Sequence, residues 1–373
     1  MKDRQKEAES VRVPETATRA EETQGSRGTR HPEPWEWVEP EVWTDRMLAA
    51  LERGVKGGKW YSLMDKVCAV RTLELAWERV RRNKGSAGVD RQSIAMFKAR
   101  ADRYLSEIAQ DLRAGKYRPQ PVKRTWVEKP GRSDQRPIGI PTVKDRVVQT
   151  ALKLVLEPIF EATFANRSYG FRPLRGCKDA LREVQGLLND GKVWVVDVDL
   201  EGYFDSIPHQ ALMARVEQEV ADGQVTNLLG RYLKQGVMEG MDTWQPEAGT
   251  PQGSGISSLL ANIYLNPLDH AMAQQGWAMV RYADDIVVLA ESQAEADAAL
   301  EAIQSWATAQ GLRLHSDKTR VVDARERGGF EFLGYHFERG MRWPRARSTK
   351  QLRSSIARKT GRSRDCLLYT SPS

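Results

Sequence analysis

The chain has 373 residues, 40% of them apolar and 29% charged, which allows two or three structural units with a buried core and excludes general disorder. No run of about eighteen apolar residues occurs, so no transmembrane helix is expected, and the N-terminus MKDRQKEAESVRV lacks the apolar stretch of a secretory signal. Cys68, Cys177 and Cys366 are too scattered for a disulfide framework or a C-x2-C zinc pair, so a reducing, cytosolic setting is expected. The net charge of +7 is unevenly placed. Residues 339–365 carry ten Lys and Arg against Asp365 alone, which leaves −2 for the rest of the chain. Such a segment suits a polyanion, nucleic acid most simply; a solvated basic tail is the plainer alternative.

Residues 1–30 mix charge with Ser, Thr, Gly and Pro and read as a disordered leader. Residues 31–60 hold Trp35, Trp37, Trp43 and Trp60 in a Pro/Glu-rich setting that reads as a short ordered approach. From 61, Leu63, Val67, Val70, Leu73 and Trp77 follow a helical period, and 91–114 gives a second amphipathic helix. After Pro119 and Pro121, KRTWVEKPGRSDQRPIGIPTV reads as two short strands around a turn. Helical patterns follow at 145–162 and 177–189. VWVVDVDL (193–200) is a β-branched run that fits a buried strand. Pro208 begins a helical stretch over 209–234, and GTPQGSG (249–255) feeds a further helix. WAMVRYADDIVVLA (277–290) reads as two strands meeting at an acidic turn. A helix over 292–309, a strand around Leu312 and Leu314, and a strand or hairpin at FEFLGYHF (330–337) complete the order. Helices alternating with strands on long connections give an α+β or α/β class with a central sheet. CLLYTSPS (366–373) fits no preceding pattern and reads as a truncation scar.

Two apolar strands end in carboxylates: Asp197 and Asp199 in VVDVDL, and Asp284 with Asp285 in YADD. Gathering acids at core strand ends is costly unless a cation neutralises them. Rigidly held hard oxygens suit Mg²⁺, which shares substrate phosphate oxygens, and two such ions can activate a hydroxyl and steady a departing pyrophosphate. Strand neighbours alternate in direction, so one of Asp284 and Asp285 should be the better-placed ligand. Asp197 shares the strand face of Asp199. An ordinary exposed turn is the alternative for YADD alone.

Eight blocks in order then resemble bacterial group II intron-encoded reverse transcriptases: NKGSAGVD, RPIGIPTVKDRVVQTALKLVLEPIFE, FANRSYGFRPLRGCKDAL, VVDVDLEGYFDSIPH, GTPQGSGISSLLANIYLNPLDHAM, RYADDIVVLA, GLRLHSDKTR and FEFLGYHF. The resemblance runs from about residue 60 to 337. It implies an α+β right-hand polymerase fold of fingers and palm, with an antiparallel palm sheet packed on helices and the thumb mostly missing. The implied divisions are an N-terminal extension and the start of the fingers over 31–115, fingers over 116–192, palm over 193–338 and a basic thumb start over 339–365. The implied activity is RNA-directed DNA synthesis by two Mg²⁺ ions, with intron RNA as template, a DNA primer or target, and dNTPs. A bacterial cytoplasm or nucleoid setting goes with it, and no membrane.

Carried over residue by residue, the resemblance implies metal contacts at Asp199, the adjacent Leu200, Asp284 and, in a supporting role, Asp285. Phe204 becomes a steric gate against a ribose 2′-hydroxyl, since a bulky ring beneath the sugar leaves no room for it. Asp197 and Asp205 match the block with lesser roles. Gln252 would meet the incoming nucleotide, with Gly253 permitting close backbone approach. Lys129 and Arg136 would grip the triphosphate, and Lys318 is a candidate general acid for pyrophosphate. Tyr282 would lie near the primer, and Gly334 would allow the turn of a primer-grip hairpin. Arg167, Arg172 and Arg175 would touch template backbone. Full-length relatives continue into a thumb, a maturase region and often a nuclease, which makes maturase activity of this stretch doubtful. A non-catalytic RNA-binding splicing cofactor is one alternative. Another is a reverse transcriptase of a retron, a diversity-generating element or a defence system.

Overall fold

A computed structural model describes residues 35–55, 57–128, 135–250 and 253–360. Contacts divide the chain into two units, Met1–Glu36 and Trp37–Ser373, and every element below belongs to the second. The leader at 1–30, the tail at 366–373, Lys129 and Gln252 lie outside the described residues.

The short helix α1 (Asp45–Arg53) comes first. The helical pattern from residue 61 is interrupted, giving α2 (Met64–Val67) and α3 (Val70–Asn83), because Ala69 between them is extended at φ −64°, ψ 136°. The stretch 91–114 likewise divides into α4 (Ile94–Lys98) and α5 (Ala101–Arg113) at Arg100 (φ −139°, ψ 32°). Strands β1 (Val122–Glu128) and β2 (Gln135–Ile140) form the expected antiparallel hairpin. The helix α6 (Val143–Glu161) is buried on nearly all sides, as a helix apolar around its circumference must be. The amphipathic α7 (Cys177–Asn189) follows.

Strand β3 (Trp194–Asp199) leads into a single helical turn, α8 (Tyr203–Ser206). The expected helix over 209–234 is two helices, α9 (His209–Glu219) and α10 (Gly223–Leu233). Asp222 causes the break. Its Oδ1 accepts the amides of Gln224 and Val225 and caps α10, while its Oδ2 accepts the Leu63 and Met64 amides at 2.6 and 2.8 Å. Two strands absent from the sequence reading follow, β4 (Val237–Glu239) and β5 (Asp242–Trp244). At three residues each they are too short to show an alternating pattern. They extend the β1–β2 hairpin to a sheet of order β2-β1-β4-β5, in which β4 runs parallel to β1.

The next elements match expectation: α11 (Ser257–Gln274), β6 (Ala278–Tyr282), β7 (Asp285–Ala290) and α12 (Gln293–Ala309). The strand expected around Leu312 and Leu314 is a correction. Leu314 makes one isolated bridge to Leu200, a turn follows, and the strand is β8 (Arg320–Asp323). The run His-Ser-Asp-Lys-Thr carries turn chemistry that outweighs the two leucines. FEFLGYHF is a hairpin of β9 (Phe330–Phe332) and β10 (Tyr335–Glu338). Beyond the division placed at 338, β11 (Met341–Pro344) adds a third strand to it, and α13 (Ala346–Thr360) follows.

The central sheet, of order β6-β7-β3-β8, is antiparallel throughout. One face packs Val195, Val280 and Val287 against Leu181, Val184 and Leu187 of α7 and against Phe330, Phe332 and Phe337. This is the expected α+β arrangement, an antiparallel sheet on helices. Among the described residues no helix is long and apolar enough to cross a membrane.

Candidate active site

Pairing of β3 with β7 creates the site. Asp199 lies directly across from Asp285, and Asp197 from Val287. Opposed residues of an antiparallel pair share a face, with Cβ atoms about 4.5–5.5 Å apart. Asp197, Asp199 and Asp285 therefore line one cavity of about 680 Å³, together with Lys318, Arg320, Glu331, Gly334 and Arg345. Asp284 sits at the hairpin tip between β6 and β7. The resemblance ranks Asp284 above Asp285, whereas the register puts Asp285 directly across from Asp199. Leu200 continues β3 and is buried.

These acids are poorly compensated. Burial, then the charges of Asp284, Asp199 and Asp197, push the Asp285 carboxyl up to about 6, although solvent still reaches the residue. Burial likewise pushes Asp197 to about 6 against the opposing charge of Arg320, 3.6 Å away. Asp284 is raised by burial, with the Asp199 charge adding. The turn after Leu314 delivers Lys318, whose ammonium meets the Asp199 carboxylate at 3.1 and 3.3 Å. As placed, no three His, Cys, Asp or Glu side chains among the described residues close into a ligand cage. The donor set still fits a hard divalent cation: the oxygens are all carboxylate, burial and then neighbouring acids raise Asp284 and Asp285, and Asp199 already carries a cationic partner.

The loop entering α11 lies beside this edge. Thr250 donates its amide to the Phe204 carbonyl at 2.7 Å, and Gly249 donates to Ile207 at 2.8 Å. Phe204 itself is half-buried, its ring edge-on to Tyr203 at 5.5 Å. Gly253 is in the left-handed region at φ +104°, and a Cβ there would come 2.6 Å from the Gly139 carbonyl oxygen. The close approach that glycine permits is thus to β2. Arg136 stands on β2 opposite Val127. Asp205 is raised by burial, with Arg124 opposing.

The remaining expectations divide. Tyr282 ends β6 across from Asp285, and a hydrogen bond with Cys177, then burial, push its hydroxyl to about 12. Gly334 (φ +82°) turns the β9–β10 hairpin, and its carbonyl accepts the Arg345 amide at 3.0 Å. Arg167 pairs with Glu183 at 2.8 Å on the surface, and Arg175 lies over the Tyr169 ring. Arg172 is a correction. Its guanidinium is buried, pairs with Glu161 and donates to the Ala165 and Ser168 carbonyls, so it is engaged within the fold and not presented to a template phosphate.

Sequence reasoning passed over Arg281 and Gly170. Arg281 is fully buried one residue before Tyr282, paired with Asp269 of α11. A Cβ on Gly170 would run into the Ala283 amide nitrogen and come 2.8 Å from the Tyr282 carbonyl carbon. The signal for Arg281 was a charge inside an apolar strand, which demands partners; Gly170 left none.

An acidic edge on an antiparallel sheet is thus flanked by a lysine, an aromatic residue and the loop entering α11. Residues 127–337 match the family model for reverse transcriptase (RNA-dependent DNA polymerase), more than half of the chain, and the chain belongs to that family. It is 36% identical over 202 residues to the group II intron-encoded protein LtrA of Lactococcus lactis subsp. cremoris, covering 54% of this chain and 33% of that protein. It is 32% identical over 291 residues to protein YkfC of Escherichia coli (strain K12), covering 68% and 76%. A telomerase structure from Candida albicans has a TM-score of 0.48 at 14% identity, covering 69% of this chain and 50% of that one. The chain spans about a third of the length of LtrA. The resemblance to group II intron-encoded reverse transcriptases read from the motifs is borne out. The family generally uses divalent metal ions and has nucleic acid partners.

Proposed function

We propose that this chain is the fingers and palm of an RNA-directed DNA polymerase of a group II intron retroelement, extending a DNA primer on intron RNA with dNTPs. The single observation that carries the reading is the β3–β7 register, which brings Asp199 and Asp285 together in a cavity short of positive charge. Asp199, Asp284 and Asp285 would hold two Mg²⁺ ions, with Leu200 beside them; bound there, the ions supply charge neutralisation for the attacking 3′-hydroxyl and the pyrophosphate. Lys318, which pairs with Asp199 here, would be the group that gives a proton from Nζ to the departing pyrophosphate. Phe204 excludes a ribose 2′-hydroxyl. Lys129 and Arg136 orient the triphosphate, Gln252 the nucleotide, and Gly253 keeps that loop tight on β2. Tyr282 and Gly334 face the primer, and Arg167 and Arg175 the template. A bacterial cytoplasmic setting belongs to this reading.

The test is extension of a DNA primer annealed to RNA, with dNTPs, with and without Mg²⁺. Asp284→Asn should lower incorporation by at least about 100-fold while circular dichroism stays unchanged. Full activity in that variant would remove the metal assignment. Tight intron RNA binding by a folded wild-type chain that adds no nucleotide would favour the splicing-cofactor reading.

A further inference from the structure

The hairpin that carries Asp284 and Asp285 is held from behind by a group that touches no substrate. Arg281 Nε donates to Asp269 Oδ1 at 2.8 Å, and Nη2 donates to the other carboxylate oxygen. Nη2 also donates to Ser168 Oγ at 2.7 Å, and Nη1 donates to Asn262 Oδ1 at 2.9 Å. The last bond decides the matter: Nη1 reaches the carbonyl of Ala283 at 3.0 Å. Ala283 is the residue before Asp284 and sits at φ +58°, a left-handed conformation that a residue with a side chain adopts at a cost. The backbone of Arg281 is clamped as well, donating its amide to Arg167 and accepting from Tyr169. Gly170 then packs against the turn with no room for a side chain.

We propose that Arg281 is a positioning residue whose Asp269-anchored guanidinium fixes the Ala283 carbonyl, and with it the placement of Asp284 and Asp285 opposite Asp199, so that divalent-cation affinity depends on it. The inference rests on the metal reading above. An arginine serves here because its planar fork satisfies five acceptor atoms at once. A lysine could reach the carboxylate or the carbonyl, but not hold both.

The test uses the full chain and Mn²⁺, whose binding is read by electron paramagnetic resonance as loss of the free-ion signal, beside primer extension as a function of Mg²⁺. Arg281→Met combined with Asp269→Leu removes both charges together and so leaves no unpaired charge in the core. The expected result is a folded protein with Mn²⁺ affinity and half-saturating Mg²⁺ each shifted at least tenfold, and KM for dNTP within about twofold. Ser168→Ala removes one bond to the guanidinium and should shift the same quantities two- to threefold if the double variant does not fold. Unchanged Mn²⁺ affinity in either folded variant overturns the inference, and so does a wild-type chain that binds no Mn²⁺. A wild-type chain that binds Mn²⁺ through this network and yet extends no primer leaves the inference standing and removes the polymerase reading.

Discussion

The two sides of the β6–β7 hairpin treat charge in opposite ways. Behind it, Arg281 and Asp269 are buried with their hydrogen-bonding groups engaged. In front, Asp197, Asp284 and Asp285 are all raised above the ordinary carboxylate range, and the cations that pair with the acids there, Arg320 with Asp197 and Lys318 with Asp199, are half-exposed. A charge that shapes the fold must be neutralised inside it, because an orphaned buried ion costs several kcal/mol. A charge that serves chemistry with cations is left short of partners, and the folded protein bears that cost until a cation arrives.

The sharpest way to break this contrast is Asp199→Asn. The expected outcome is loss of primer extension by at least about 100-fold, with a melting temperature equal to or above that of the wild type. A large activity loss accompanied by a large stability loss would mean that the front side is architecture too. Gly170→Ala tests the other side. Its added Cβ meets the Ala283 backbone, which cannot rotate aside as a flexible side chain would. The expected cost is about 1–3 kcal/mol by urea unfolding, together with a higher Mg²⁺ requirement. Neutral stability there would show that the turn is loosely seated.

The same contrast explains what the sequence could reveal. Asp199 and YADD stood out because carboxylates bounding apolar strands are anomalous wherever they occur. The β-branched runs at 194–199 and 285–290 were equally legible, since their pattern is local. The support of the hairpin was not, because Ser168 and Gly170 come from one distant segment, Asn262 and Asp269 from α11, and each is ordinary in its own. Helix breaks failed for a related reason. Asp222 ends one continuous pattern by capping α10 and holding α2, some 160 residues away. Arg172 misled by its motif: a conspicuous arginine beside other basic residues is spent on Glu161.

Asp197→Asn gives a smaller, pH-resolved effect. The folded carboxyl titrates near 6, above its unfolded value. Such a group contributes stability below about pH 4 that is lost as the pH rises through about 6. The amide does not ionise, so the metal-free variant should gain about 1 kcal/mol at pH 7.5, allowing for the 25% of the side chain that solvent reaches. At pH 4 it should gain nothing. Urea unfolding at the two pH values measures the difference, and an equal gain at both would assign the effect to packing instead.

The smallest effect comes from making the Gly170 change where nothing resists it. Gly186 lies inside α7, and a Cβ there meets no atom within 4 Å. Alanine at this position restricts the unfolded chain and favours the helix, so Gly186→Ala should raise stability by about 0.5–1 kcal/mol without altering the Mg²⁺ requirement. One substitution type then has opposite signs in two places. The restriction of the unfolded chain is common to both, and the Mg²⁺ requirement separates the contact between residue 170 and the hairpin from the helix preference at 186. If Gly186→Ala raised the Mg²⁺ requirement as much as Gly170→Ala, the metal response would report general rigidity of the palm and not the seat of the acidic turn.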